Sequence, residues 1–422
     1  MIPDVLVAGG GCAGLAAACD LAARGARVEI LEARAGLGGR ARSWVDPAIG
    51  EVEDNGQHVV MGCYEAFLAF AERIGSRGEV AFPGRPEVVL LEPGGARHAF
   101  RPRALPAPFD LLGGLLGLRG FPWRALSGAA ALARDVRGGR LPEGTAAAWL
   151  DRRGQAGAPR RLLWDPLVLA ALNLPSEQGP ASLLAPVLRR ALLGGPAAAR
   201  IGWAPRGLSR LIGEPAARYL AARGARVTPG APVAGVDCAG GRAAALRMRD
   251  GARREAGRFV LAVPHAEAAA LLPELAPVAA LGSSPIVGIH LWLEPKPEVP
   301  PMVGLLDSTV QWVFDRGRHL ALVISGAGGA AARSREDLLA EGLAEVRRFV
   351  PAARGARLVR GRVVKERTAT PLLTPETVGL RPGTRTSLPN LVLAGDWIDT
   401  GLPATLEAAA LSGHRAAEAL AG

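Results

Sequence analysis

Asp4-Val5-Leu6-Val7-Ala8 runs into Gly9-Gly10-Gly11-Cys12-Ala13-Gly14 and then into the apolar stretch that starts at Leu15. A second apolar run, Arg27-Val28-Glu29-Ile30-Leu31, ends on Glu32, 18 residues beyond Gly14. The pattern predicts a buried strand, a G-x-G-x-x-G turn, a helix from Leu15 to about Arg24, and a second strand carrying an acid at its end. That is the fingerprint of a dinucleotide-binding βαβ unit. Gly9 permits the tight turn, Gly11 lets a pyrophosphate approach the backbone, and Gly14 lets helix and strand lie close. The N–H groups around Cys12 and Ala13 open the helix and present partial positive charge to phosphates. Glu32 accepts the ribose hydroxyls.

The next segment adds a second loop to the same site. Glu32-Ala33-Arg34 leads into Gly36-Leu37-Gly38-Gly39-Arg40-Ala41-Arg42-Ser43. Gly38 and Gly39 supply backbone donors, and the Arg40 guanidinium is a fork-shaped cation for the pyrophosphate. This run resembles the E-A-R-x-x-x-G-G-R signature of the flavoprotein superfamily that includes amine oxidases, carotenoid desaturases and Rab escort proteins. The resemblance implies FAD as the cofactor.

Composition bounds the rest. The chain has 422 residues, of which 49% are hydrophobic, and a formal charge of +11. All but two of its 50 basic residues, Lys296 and Lys365, are arginine, and glycine, proline and alanine are abundant, as in proteins of GC-rich genomes. There is no run of five basic residues and no basic–aromatic interleaving, so no nucleic-acid partner is expected. Cys12, Cys19, Cys63 and Cys238 form no C-x-x-C, and the six histidines show no ligand spacing. Neither a disulfide framework nor a metal site is expected, which fits a bacterial cytoplasm. No apolar run reaches the length of a membrane span.

Element patterns along the chain predict an α/β protein with a discontinuous, Rossmann-like domain made of residues 1–75, 203–264 and 389–422. Helix 208–222, strand 225–237 and a hairpin-like continuation (243–249 and 258–263) make up its middle part. Its last part is strand 391–394 and a helix from Ala404 to Ala421. Residues 76–202 and 265–388 are two insertions, predicted to build one mixed α+β substrate domain. Ser325-Gly326-Ala327-Gly328-Gly329 also follows a strand, but no acid at the required spacing follows it, so it is read as a turn.

Three further stretches carry chemistry. Gly395-Asp396 follows a strand, and the helix expected at Ala404 would point the N–H groups near Ala404 and Thr405 at the negative charge that develops on flavin N1 and O2 when an isoalloxazine placed there is reduced. The resemblance to the flavoprotein superfamily implies that Val233 lies where the backbone clasps the adenine, and that Leu261-Ala262-Val263-Pro264, similar to its A-x-P turn, lies beside the pyrophosphate. Glu53-Asp54-Asn55-Gly56-Gln57-His58, followed by Cys63-Tyr64, reads as a functional loop; Asp54 or His58 can supply a proton near neutral pH.

The series N-G-Q-H-x-x-x-G-C-Y, Leu163-Trp164-Asp165-Pro166-Leu167, Lys365-Glu366-Arg367-Thr368 and A-G-D-W-x-x-T-G-L-P-A-T-x-E-x-A-x-x-S-G resembles the squalene-associated FAD-dependent desaturases, understood as hydroxysqualene dehydroxylases. It is also similar to phytoene and ζ-carotene desaturases. The first resemblance implies a C30 isoprenoid allylic alcohol as substrate, with Gly56, Gln57 and His58 beside FAD. His58, Tyr64 and Asp165, in falling order, are the candidate acids, and Trp203, Trp292 or Trp312 are candidates to face a carbocation. It also implies upstream prenyl synthases and a peripheral membrane surface, for which the apolar and basic stretch 105–124 is the candidate. A carotenoid desaturase or isomerase is the alternative, and a lipid escort protein a distant third.

Overall fold

The computed structural model describes residues 2–84, 87–102, 113–115, 117–139 and 141–421. Its centre is a five-stranded parallel sheet. Strand β1 (Val5–Ala8) is buried along its whole length, because a parallel sheet is covered on both faces. Gly11 then opens helix α1 (Cys12–Ala23), and strand β2 (Val28–Leu31) returns beside β1 with Val5 opposite Val28. On the other side of β1 lies Arg258–Leu261, and next to it Leu391–Leu393; Arg226–Thr228 lies beyond β2. Stretches more than 380 residues apart in sequence therefore meet in one sheet.

Several boundaries differ from the pattern reading, each for a local reason. The helix expected over 208–222 is two helices, Leu208–Leu211 and Gly213–Ala221, broken at Ile212. The strand expected over 225–237 is interrupted by Pro229-Gly230 and Pro232, which cannot continue a ladder, and becomes Arg226–Thr228 and Val233–Ala239. The continuation 243–263 is not one hairpin. Arg242–Met248 pairs antiparallel with Val233–Ala239 and Arg253–Glu255, whereas Arg258–Leu261 joins the parallel sheet. Ser325-Gly326 is a turn tied to the Asn173 side chain, whose Oδ1 accepts from Gly326 N at 2.7 Å.

A second sheet has seven strands, in the order 357–371, 283–294, 320–324, 312–315, 302–305, 88–91 and 97–100. One face buries Val287, Ile289 and Leu291 against Leu338, Val346 and Phe349 of helix Arg335–Phe349. Ser334 caps that helix by accepting from Asp337 N at 3.0 Å. Alternation sends His290 and Trp292 to the other face. A helical layer, from Ala125 to Leu192, shares an apolar core with the parallel sheet, Leu132, Trp149 and Leu184 clustering with Leu6, Phe259 and Leu393, and contains two π-helical turns, Arg160–Trp164 and Leu188–Leu192. Part of the stretch 105–124, namely 105–112 and 116, lies outside the described residues. Among the described residues no helix is long and apolar enough to cross a membrane.

Two histidine arrangements give the fold opposite responses to pH. His414 on the last helix contacts Asp20 of α1 through Nδ1 (2.6 Å) and the Ala66 carbonyl through Nε2 (3.2 Å). Burial opposes charging this ring, but Asp20 prevails and its pKa is raised. Its contribution to stability is present below about 6.5 and lost as pH rises through the raised value. His290 and His319 share a hydrogen bond of 3.1 Å under Trp292. Burial, with help from neighbouring cations, pushes them down to about 3 and about 4. Above about 6.5 this pair costs nothing. As pH falls below that value the unfolded chain takes up protons that the folded chain refuses. Stability should therefore fall by up to about 1.4 kcal/mol per pH unit for each ring. A His290→Asn/His319→Asn double variant is expected to flatten that acid limb in urea midpoints measured from pH 7 to 4.5. An unchanged slope would show that the pair titrates normally in the native state.

Candidate functional site

Backbone geometry shapes the two glycine loops. Gly9 has φ +105°, and a Cβ there would overlap the carbonyl of Ala262. A Cβ at Gly14 would overlap the carbonyl of Gly9. Gly11 is different: a Cβ there meets nothing closer than Gly39 Cα at 3.9 Å, so its open side is free for a ligand. Gly11 caps α1 without a side chain, which leaves the N–H groups at Cys12 and Ala13 for that ligand. The second loop lies directly against the first, with Gly38 N donating to the Gly10 carbonyl at 2.8 Å and Gly39 adopting φ +62°. Arg34 and Arg42 both donate to the Gly39 carbonyl, at 3.3 and 2.7 Å. The chain thus forms a basic cradle of paired loops at a helix N-terminus, the donor set a pyrophosphate needs.

Glu32 is buried at the end of β2. Its Oε2 accepts from Gly10 N at 2.7 Å and its Oε1 from Arg34 N at 2.8 Å, so the carboxylate is held in place. Ala33 is exposed between them. Ala231 N donates to the Glu32 carbonyl at 2.8 Å, which brings the start of strand Val233–Ala239 alongside the acid.

The far end of the site is built from the last 30 residues. Arg40 Nη2 donates to Asp396 Oδ1 at 2.7 Å, and Nη1 donates to the Ala369 carbonyl at 2.6 Å. Gly395 lies on the Trp397 indole, which donates to the Val263 carbonyl at 3.0 Å. The helix begins at Leu406, two residues later than its sequence predicts. Thr405 takes the capping role, its Oγ1 accepting from Ala408 N at 3.2 Å, and Ala404 stays in the preceding turn.

The candidate acids separate in space. His58 is half-buried, and its Nδ1 contacts the Gly56 carbonyl at 3.1 Å. Burial lowers its pKa, opposed by Gly56 and Asp54. Gly56 and Gln57 are likewise half-buried. The Tyr64 phenol lies beside the Thr405 side chain at the start of the last helix, and burial pushes its pKa up. Asp165 accepts from Arg160 Nε at 3.0 Å and Ser176 Oγ at 2.5 Å, in an ion-pair network of the helical layer. Asp54 is committed to Ser43, Leu208 N and Arg316. Trp203 pairs with Val59, and Trp312 packs on the same apolar cluster as Val59. Trp292 is engaged elsewhere, donating to Glu51 at 3.1 Å with the Arg360 guanidinium over its ring.

The structure reveals supporting residues that motif reading passed over. Asn55 Nδ2 donates to the Arg40 carbonyl (3.1 Å) and to Glu366 Oε2 (2.9 Å), tying the loop to strand Arg357–Pro371. Ser412 accepts from Gly395 N at 2.8 Å, and a Cβ at Gly413 would overlap the Ala13 carbonyl of α1. Buried Glu407 accepts from Phe67 N at 2.9 Å and from Arg190 at 2.9 Å. All but Arg190 belong to stretches already singled out as motifs, so their presence there was the available signal.

Residues 12–421 match the family of flavin containing amine oxidoreductases. The chain belongs to that family. It is 35% identical to hydroxysqualene dehydroxylase of Rhodopseudomonas palustris, over 99% of this chain and 98% of that protein. It is 26% identical to 15-cis-phytoene desaturase of Synechococcus elongatus, over 99% and 95%. An oxidoreductase from Methanosarcina mazei, 17% identical, superposes with a TM-score of 0.73 over 98% of this chain and 99% of that one, and so shares the fold. The cradle, the buried acid and the capped helix fit FAD, and the chain is an FAD-dependent oxidoreductase.

The two glycines of the first loop make different predictions. Gly11→Leu should fold, because its Cβ has room, but should purify colourless, without flavin absorbance. Gly14→Leu should lose the fold itself, seen as a collapse of the thermal transition. A yellow, FAD-loaded Gly11→Leu protein would remove this loop from the cofactor site.

Proposed function

We propose that this flavoprotein is a hydroxysqualene dehydroxylase, removing the hydroxyl of hydroxysqualene to give squalene. The observation that carries the reading is a run of apolar clusters leading away from His58. Val59 and Trp312 share one cluster with Phe314 and Val323. Trp312 and Val88 share the next with Leu90, Leu162 and Leu306. Val88 reaches a third, of Phe100, Leu115 and Leu118 with Phe121 and Leu126. These side chains are packed against one another and would have to part for a substrate, and an apolar lining of this kind suits a long uncharged chain whose reactive end lies at the His58 loop. It ends near Trp123, which is 73% exposed with the Arg124 guanidinium 5.7 Å from its ring centroid. An amphipathic aromatic beside a cation favours a membrane interface, where such a substrate resides. The chain would then act on the product of upstream prenyl-joining synthases.

In this reading His58 donates a proton to the substrate hydroxyl, water departs, and an allylic cation remains. Bound FAD, when reduced, supplies the hydride that quenches it. Trp203 and Trp312, on either side of Val59, present ring faces to the cation, which also shields it from water. Tyr64 orders Thr405 at the helix cap. Asp165, spent on Arg160 and Ser176, holds the helical layer. The relation to hydroxysqualene dehydroxylase supports the reaction class, and the relation to phytoene desaturase defines the competing one.

Reduced enzyme is expected to convert hydroxysqualene to squalene. Deuterium carried by the reduced flavin should appear at the carbon that lost the hydroxyl or at its allylic partner. His58→Ala should retain FAD and slow turnover by roughly 10²–10⁴. Because the acid form of His58 is required and its pKa lies below the usual 6.5, kcat/KM should be flat at low pH. It should fall about tenfold per pH unit above a midpoint under 6.5. Full activity in His58→Ala would move the acid elsewhere, and phytoene desaturation in place of squalene formation would overturn the function. Trp123→Ser should cut binding to anionic lipid vesicles several-fold while leaving FAD bound; undiminished binding would place the membrane face elsewhere.

A further inference from the structure

Arg381 is a cation buried where no motif marked one. Its side chain is 3% exposed. Nη1 donates to the Leu402 carbonyl at 2.8 Å and Nη2 to Asp399 Oδ1 at 2.8 Å, while Nε has no partner among the described residues. These two bonds span one turn. Asp399 N donates to the Pro382 carbonyl at 2.9 Å, Gly401 N donates to Asp399 Oδ1 at 3.1 Å, and Gly401 takes φ +77°. The turn leads through Pro403, Ala404 and the Thr405 cap into the 16-residue helix Leu406–Ala421.

The charges of this pair are placed asymmetrically. The Asp399 side chain is 55% exposed, so water screens it, whereas the guanidinium points inward with an N–H to spare. A neutral amide would bond the Leu402 carbonyl without the desolvation penalty of a charge. The turn that the buried guanidinium holds leads, four residues beyond Leu402, into the N-terminus of the last helix, which carries positive potential of the same sign.

We propose that Arg381 is a positioning residue for the flavin. It fixes the turn 399–402, and so the start of the last helix, at the pyrimidine end of the ring, and its buried charge favours the reduced, anionic state. This rests on the reading that the helix starting at Leu406 faces flavin N1 and O2. The role goes beyond loop anchoring, because an anchor would change stability and leave the flavin potential alone.

The test is the midpoint potential of FAD-loaded variants, with FAD dissociation constants measured alongside. In Arg381→Met the preference for reduced over oxidised FAD should drop about tenfold, which for a two-electron couple is about 30 mV. Arg381→Lys, which keeps the charge and loses the fork, should drop by less. Leu406→Pro serves as a check on the helix placement, since it removes an N–H at the first residue of the helix without touching Arg381. A wild-type midpoint in Arg381→Met, with Leu406→Pro lowered, overturns the proposal alone. Wild-type midpoints in both overturn it together with the helix placement. Should Arg381→Met not fold, Arg381→Lys decides: a midpoint below wild type supports the proposal and an unchanged one overturns it.

Discussion

The ion pair between Arg40 and Asp396, 2.7 Å long, joins residues 356 positions apart. Arg40 ends the second glycine loop, and Asp396 follows the last strand of the parallel sheet. The Arg40 guanidinium is also bound by the Ala369 carbonyl, and its own carbonyl is bound by Asn55. The pair is therefore satisfied on several sides, which is what makes a largely buried ion pair tolerable. Removing either partner would leave the other charge stranded, at a cost on the order of 3–5 kcal/mol. Through this contact and the bonds around it the second glycine loop, the His58 loop, strand Arg357–Pro371 and the Gly395-Asp396 segment hold a common geometry.

Around that contact the family's motif residues sort into those that face the ligand and those that hold them. Glu32 and the N–H groups at Cys12 and Ala13 are held on rigid elements, as accurate placement requires. Ser412, Gly413 and Glu407 work from behind. Ser412 grips Gly395, Gly413 admits α1, and Glu407 satisfies the N-terminus of helix Glu65–Arg73 while pairing with Arg190. The A-G-D to S-G block thus combines cofactor approach with helix packing.

Much of this was legible in the sequence because it rests on local rules. The βαβ unit announces itself through glycine spacing, two flanking apolar strands and the acid that ends the second of them. What was not legible depends on distant partners. Asp165 looks like a free acid in sequence and becomes bound once Arg160 and Ser176 come beside it. Trp292 looks like its fellow tryptophans until Arg360 covers its face. The break at Ile212 and the late start of the last helix reflect tertiary packing and cap choice, which outweigh propensity over one or two residues.

The order of strands also bears on how the protein is made. The ribosome emits β1, α1 and β2 well before Leu391–Leu393 and Asp396. At ordinary elongation rates the interval is roughly 20–80 s. Throughout it Arg40 lacks its carboxylate and α1 lacks the helix that covers Ala13 and Ala16, and the strand Arg258–Leu261, once made, lacks its outer neighbour. The nascent chain must keep those apolar surfaces from foreign partners while it waits, which makes chaperone holding during synthesis a natural companion of this topology. Cofactor capture is thereby a late event, coupled to the emergence of the final helix rather than to the domain that carries the glycine fingerprint.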